Sequence, residues 1–194
     1  MEIADAQRDV RTVYAGGFYG QLVSGTLWLL AAGASVVVSH AAGILVLLVG
    51  GVAILPLTML LLKATGGPAS LPAGHPMAPL AMQIAFTVPL GLLVAVAAAG
   101  YREEWFFPAS MVIVGAHYLP FTFLYGTPLF AVLGAAMAFA GVALALWLPN
   151  TFATGGWATG VLLLTFAVLL HRSHRRSATL EEHTGGIQAD GADR

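Results

Sequence analysis

One histidine stands in an almost wholly apolar stretch, "MVIVGAHYLPFTFLYG" at 111–126. The imidazole of His117 titrates near neutral pH and can donate or accept a hydrogen bond, so it could relay protons or hold a polar solute. Tyr118 and Tyr125 add two hydroxyl groups to the same stretch. Ionisable groups inside membranes commonly mark ion or proton pathways. The alternative is a neutral histidine that only hydrogen-bonds to a glutamine, a tyrosine or a backbone carbonyl.

The composition of the chain indicates the surroundings of this histidine. Of 194 residues, 58% are hydrophobic and only 9% are charged, with a mean hydropathy of +0.84. A soluble domain carries about 25% charged residues, so this chain could not cover a water-facing surface. The apolar residues form blocks of about 20, long enough to cross a hydrocarbon core of ~30 Å as helices. The predicted fold class is all-α, a polytopic integral membrane bundle of six transmembrane helices.

Short polar, glycine-rich or proline-rich segments separate the apolar blocks. The predicted spans are 16–38, 41–62, 80–100, 109–126, 128–148 and 156–171. They make up a transmembrane domain at 13–171, which follows a polar N-terminal segment at 1–12. A polar tail occupies 172–194, and its composition predicts disorder beyond Arg176.

The distribution of lysine and arginine predicts the orientation of the bundle. With six spans, both chain ends lie on one side, which carries Arg8, Arg11, Lys63, Arg172, Arg175 and Arg176. The other side carries only Arg102, flanked by Glu103 and Glu104. Because cytoplasmic segments near helix ends are enriched in Lys and Arg, both termini are predicted to be cytoplasmic. Heavy use of Ala, Val, Gly and Leu suggests a bacterial protein, so the expected location is the inner (plasma) membrane.

Several polar side chains fall at a similar depth once the spans are oriented. The candidate residues for a polar cavity near His117 are Gln21, Gln83, Thr87, His117, Tyr118 and Tyr125. Ser24 and Thr58 also lie in the cytoplasmic halves of their spans. One interpretation is a cavity open to the cytoplasm. The other is that these groups hydrogen-bond across helices, at about 0.6 kcal/mol per bond, or to their own backbones.

Other kinds of chemistry find little support in the sequence. The absence of cysteine excludes disulfides and thiolate ligands, and a net charge of −1 gives no basic surface for nucleic acid. No Asp, Glu, Lys or Arg falls inside a span, and no nucleophile motif or phosphate-binding loop occurs. We therefore expect no enzyme activity, cofactor or metal. His171 and His174 fit a basic helix end at the lipid head groups better than a metal site.

Small residues recur at spacings that let helix backbones approach closely. The pairs and series are Gly16 and Gly20, Gly156 and Gly160, Gly91 with Ala95 and Ala99, and Gly134 with Gly141. Such spacing favours packing within one chain, and homo-oligomer formation is the alternative. The predicted partner is therefore the lipid bilayer, and a second copy of the chain is the alternative use of these small residues.

Two stretches carry a resemblance to known proteins. They are "VGAHYLPFTFLYG" at 114–126 and "GGFYGQLVSGTLWL" at 16–29. These stretches resemble small bacterial multi-pass membrane proteins known only as a domain of unknown function. The resemblance covers most of the chain, and it implies neither an activity nor site residues.

Three functions are compatible with these features. The first is a small-solute or ion permease with a polar cavity near His117. The second is a non-catalytic accessory or structural protein that binds a partner through its helix faces. A membrane-embedded enzyme acting on lipid is the third, and it would need a nucleophile or metal near His117 that the sequence does not supply.

Overall fold

The computed structural model describes residues 2–148 and 151–192, with side chains as far as Arg176. In this part of the chain there are seven α-helices, two 3₁₀ segments and no strand. The helices are α1 (Ile3–Val13), α2 (Phe18–Val37), α3 (His40–Ala64), α4 (Ala78–Tyr101), α5 (Phe106–Tyr125), α6 (Leu129–Leu146) and α7 (Thr154–Ala192). Six of them, α2 to α7, are long and apolar enough to cross a membrane. This confirms the predicted bundle of six transmembrane helices.

The spanning helices form because hydrocarbon offers the backbone no hydrogen-bond partners, so each N–H and C=O must pair within its own helix. Local residues set the ends. Ser39 caps α3 by accepting a hydrogen bond from the Ala42 amide at 3.1 Å. Gly126 ends α5 in the left-handed conformation, with φ of 63°, and Pro128 precedes α6. The predicted spans match these helices to within a few residues at most ends.

The spanning helices pack as two layers of three. In one layer α2 lies between α3 and α7, and in the other α5 lies between α4 and α6. The layers meet where α6 packs against α7 and where α3 approaches α4. The two central helices, α2 and α5, also contact each other across the middle of the bundle. This arrangement leaves α2, α3, α4 and α5 around one shared space.

Glycines allow the closest contacts between helices of the same layer. A methyl group added to Gly115 of α5 would lie 2.7 Å from the carbonyl oxygen of Gly134 in α6. In the other layer, a methyl group on Gly25 of α2 would lie 3.1 Å from the carbonyl oxygen of Gly160 in α7. The small residues predicted to mediate packing at Gly134 and Gly160 therefore act within the chain. A homo-oligomer stays a prediction.

Aromatic rings close the end of the bundle away from the termini. Phe107 is fully buried, with its ring 5.8 Å from that of Trp28 and 5.3 Å from that of Phe152. His40 stacks on Phe152 at 4.1 Å, and its Nδ1 lies 3.0 Å from a carboxylate oxygen of Glu103. Residues from α2, α3, α5 and the segments before α5 and α7 therefore form one plug between the layers.

The polar N-terminal segment predicted at 1–12 is an amphipathic helix, α1, which lies outside the six spans. Its buried residues are Ala6, Val10 and Val13, spaced so that they share one helix face. The chain then turns sharply at Gly16 and Gly17, which have φ of 64° and 89°. Such positive φ values favour glycine. The turn lets α1 lie across the end of the bundle instead of extending α2.

Two polar side chains of α1 attach it to the last turn of α5. Arg11 Nη1 donates to the Tyr125 carbonyl at 2.7 Å, and Gln7 Nε2 donates to the Phe123 carbonyl at 2.6 Å. The last four carbonyls of a helix have no partner within that helix, so α1 supplies the missing donors. The positive charge of Arg11 also complements the negative end of the helix dipole.

Removing the Arg11 contact is expected to release α1. Arg11→Met should weaken docking by about 1.5 kcal/mol, the scale of a charge-assisted hydrogen bond. Amide exchange in 3–13 should then accelerate roughly tenfold, measured by hydrogen–deuterium exchange mass spectrometry. Thr12→Val is the control, because the exposed Thr12 donates its hydroxyl hydrogen bond to the Arg8 carbonyl of the same helix at 3.0 Å. Equal exchange in the two variants would contradict the assigned role of Arg11.

The last helix, α7, continues to Ala192 without a break. The helical backbone includes the polar tail from 172 to 192, and the disorder predicted beyond Arg176 stays a prediction. Extending an existing helix avoids the unfavourable nucleation step, and "SATLEEH" at 177–183 contains good helix formers. The cytoplasmic location of the tail stays a prediction.

Candidate functional site

A cavity of about 200 Å³ lies in the space between the two layers. Its walls come mainly from α2, α3, α4 and α5, and it extends from Trp28 and Leu47 to Tyr14 at the end that carries α1. Six polar residues of the spans line it, namely Gln21, Ser24, Thr58, His117, Tyr118 and Tyr125. Most of the remaining wall is aliphatic, glycine or phenylalanine. The cavity therefore has an apolar body with several separate hydrogen-bonding groups.

His117 is held by a short chain of hydrogen bonds to α4. Its Nδ1 lies 2.9 Å from Thr87 Oγ1, which lies 2.7 Å from the Ile84 carbonyl oxygen. A hydroxyl has one hydrogen and a carbonyl can only accept, so all three groups are satisfied when Nδ1–H donates to Thr87 and Thr87 donates to Ile84. For a neutral imidazole, this assignment places the proton on Nδ1 and leaves Nε2 as an acceptor. The ring also packs edge-on against Phe121 at 4.9 Å.

A second polar group joins the two layers at the cavity wall. The Tyr118 hydroxyl of α5 donates to Gln21 Oε1 of α2 at 3.1 Å, and Ser24 also hydrogen-bonds this hydroxyl. Tyr118 and Gln21 are only 4% and 3% exposed, so this bond is shielded from water. Because the Gln21 oxygen accepts from tyrosine, the amide N–H groups of Gln21 remain as donors toward the cavity.

Two further polar atoms on the facing walls lack a usual partner. Thr58 of α3 is 9% exposed, and its Oγ1 has no hydrogen-bond partner. Pro89 of α4 has no backbone N–H, so the carbonyl of Ala85, four residues earlier, loses its usual helical partner. Thr58, Ala85 and Pro89 all line the cavity. An unpaired buried polar group costs about 1–3 kcal/mol, so these atoms favour a polar guest.

The end of the cavity near the termini is covered by Tyr14 and the loop between α3 and α4. The hydroxyl of Tyr14 hydrogen-bonds the backbone of Leu71 in that loop, and burial raises the pKa of Tyr14 above its usual value. His75 of the same loop is buried; its Nδ1 accepts from the Met77 amide at 3.2 Å, and its Nε2 faces Asp9 of α1 at 3.4 Å. The loop thus lies against α1 beside the cavity.

The structure brings together some of the predicted cavity residues and separates others. Gln21, His117, Tyr118 and Tyr125 all line the cavity. Thr87 does not line it, and touches the site only through His117. Gln83 is exposed on α4, away from the cavity wall.

Sequence reasoning left three polar residues of the cavity wall out of the candidate set, namely Tyr14, Ser24 and Thr58. Ser24 and Thr58 were noted at the right depth, but nothing in the sequence ranked them above the other hydroxyl groups. Tyr14 was missed because it lies just before the first predicted span. His171 and His174 do not line the cavity. The ring of His171 packs against the ring of Phe18, with 4.7 Å between their centroids.

The Tyr118–Gln21 bond gives a stability prediction. In a double-mutant cycle of Tyr118→Phe and Gln21→Met, we expect a coupling of about 0.6 kcal/mol, the average for such bonds between membrane helices. The measurement is the free energy of unfolding in bicelles for the two single variants and the double variant. Pairing Tyr118→Phe with Gln83→Met provides the control cycle, which should show no coupling because Gln83 is exposed on another helix.

Comparison with known proteins gives a family but no function. Neither a curated protein nor a solved structure matches the chain. One family model matches residues 3–173, which include α1 and nearly all of the spanning helices. This confirms the resemblance to a domain of unknown function, while bacterial origin stays a prediction. The chain belongs to DUF7010, a family of unknown function.

Proposed function

We propose that the protein is a small-solute permease and that the cavity beside His117 is its solute site. The observation that carries the proposal is the cavity itself, about 200 Å³ between two helix layers, with polar groups on facing walls. One of these groups is the Thr58 hydroxyl, which has no hydrogen-bond partner within the protein. Burying that group is costly unless something binds it.

The proposed route uses the boundary between the layers. The cavity approaches the end of the bundle that carries α1, where Tyr14 and the loop between α3 and α4 cover it. Its other end stops at Trp28, beneath the aromatic plug around Phe107. Passage would therefore require the layers to separate, first at one end and then at the other. Such alternate opening around a central site is how many transporters move solutes.

The test is solute flux in proteoliposomes made from the purified full chain. His117→Ala should reduce flux about fivefold, since losing one hydrogen bond to a solute costs about 1 kcal/mol. Gln83→Ala is the matched control, because Gln83 lies at a similar depth but is exposed outside the cavity. Flux that is equal in the two variants, or absent across a broad solute panel, would overturn the proposal.

The exposed faces of α3 and α4 favour a second candidate, an accessory protein that binds a partner within the membrane. Only 6% of the apolar window of α3 and 17% of that of α4 are buried. Lipid satisfies such faces as well as protein does, so the proposal needs its own test. This second function predicts that a membrane partner co-purifies stably with the protein. Val49→Trp, which alters the exposed face of α3, should abolish the co-purification, and His117→Ala should leave it unchanged. Co-purification that is lost in His117→Ala and kept in Val49→Trp would instead favour the permease.

A further inference from the structure

The charges around the cavity indicate the class of solute. Among the described residues that form its wall there is no Asp, Glu, Lys or Arg. The only group there that could become charged near neutral pH is His117, and an apolar wall with no carboxylate among its described residues favours the neutral ring. A charged guest would leave water without gaining a counter-charge, at a cost of several kcal/mol.

The polar atoms of the wall are complementary to a guest that both donates and accepts hydrogen bonds. Gln21 of α2 offers amide N–H donors, and Thr58 of α3 has a hydroxyl with no partner. On the other side, the Ala85 carbonyl beside Pro89 and the Nε2 of His117 are acceptors. The layer that contains α2 and α3 thus contributes the Gln21 N–H donors and the Thr58 hydroxyl. The layer that contains α4 and α5 contributes two acceptors together with the hydroxyls of Tyr118 and Tyr125.

The size of the cavity limits the guest further. An engineered apolar cavity of about 150 Å³ binds benzene, so about 200 Å³ holds a molecule somewhat larger than one benzene ring. The aromatic side chains of Trp28, Phe121 and Phe130 and several aliphatic residues surround this space. Such a wall suits a compact, mainly apolar body that carries a single polar group.

We infer that the cavity binds small uncharged molecules that carry an amide or a similar donor–acceptor group on an apolar, ring-sized body. This inference rests on the proposed function in taking the cavity as the solute site. It adds that the solute is neutral, that Thr58 and Gln21 bind its acceptor, and that Ala85 and His117 bind its donor. Solutes with an amide group cross hydrocarbon slowly because the group loses its hydrogen bonds to water, so a protein route for them is useful.

Three planar probes of nearly equal shape separate charge from size: benzamide, benzoate and benzamidinium. Equilibrium binding of each radiolabelled probe is measured on the full chain in lipid nanodiscs, with empty nanodiscs subtracted. Benzamide should bind saturably, and both ions should bind at least about tenfold more weakly because no counter-charge awaits them. Thr58→Val, which keeps the shape and removes the hydroxyl, should weaken benzamide binding about fivefold. Gln83→Ala should leave it unchanged.

The outcomes separate this inference from the permease. Saturable benzamide binding that Thr58→Val weakens supports the inferred class of solute. This holds even if no uncharged solute crosses the proteoliposome membrane and the permease function is thereby contradicted. Benzoate or benzamidinium binding as tightly as benzamide overturns the inference, and so does the absence of saturable binding by all three. If the binding results contradict the inferred solute class but a charged solute shows flux that depends on His117, the permease function is still supported.

Discussion

Gly115→Leu is expected to destabilise the bundle by roughly 3 kcal/mol, at the upper end of the usual cost of overpacking. The reason is that backbone meets backbone at this crossing of α5 and α6. A methyl group on Gly115 would lie 2.7 Å from the Gly134 carbonyl oxygen and 2.9 Å from the Ala138 amide nitrogen. Neither atom can turn aside as a side chain can, so the helices must separate and lose their contact. The free energy of unfolding in bicelles, obtained by steric trapping, measures the loss.

The neighbouring position supplies the control for this prediction. Ala116→Leu adds a similar side chain one residue later, where the helix surface is exposed. Its unfolding free energy should stay within about 0.5 kcal/mol of the parent protein, as for most surface changes. Similar losses in the two variants would show that the crossing of α5 and α6 tolerates a side chain, and would contradict the close approach of Gly115 to Gly134.

Filling the cavity is expected to have the largest effect on flux. Gly20 lines the cavity, and a methyl group added there would meet no atom within 4 Å. A leucine at this position can therefore occupy space that the proposed solute needs, without displacing protein atoms. This competition for space should weaken solute binding by about 1–3 kcal/mol. At low solute concentration, flux should therefore fall about five- to 150-fold. Proteoliposome flux, normalised to folded protein, is the measurement.

Gly100→Leu is the matched control for the filled cavity. An added methyl group at Gly100 also meets nothing within 4 Å, but this residue lies at the far end of α4 and does not line the cavity. Both variants should fold and melt like the parent protein, and only Gly20→Leu should lose flux. Normal flux in Gly20→Leu would place the route elsewhere and remove the main support for the permease.

The spans were predictable from the sequence because they depend on hydropathy along the chain. A long run without charged residues is stable in hydrocarbon wherever its neighbours lie, and its ends follow from local signals such as Ser39, Gly126 and Pro128. The helix α1 also had a signal, the spacing of Ala6, Val10 and Val13. That signal was missed because the segment is polar overall, although its periodicity is helical.

The candidate site shows where prediction from the sequence ends. Gln21 and Gln83 are both glutamines within spans, at depths that looked equivalent. Gln21 is 3% exposed and bonded to Tyr118, while Gln83 is exposed on the outside of α4. Depth can be counted along a helix, so it was predictable. The direction in which each side chain points depends on the rotation of its helix about its own axis, which its packing partners determine.

The sequence by itself determined the membrane class and the number of spans, since both follow from residue order and hydropathy. Only the tertiary structure decided which groups share a cavity, and it selected Thr58 and Gln21 over Gln83. The physical reason is that lipid and protein interior are both apolar in a membrane. A spanning helix therefore carries little amphipathic pattern to tell its buried face from its lipid face, and packing alone makes that choice.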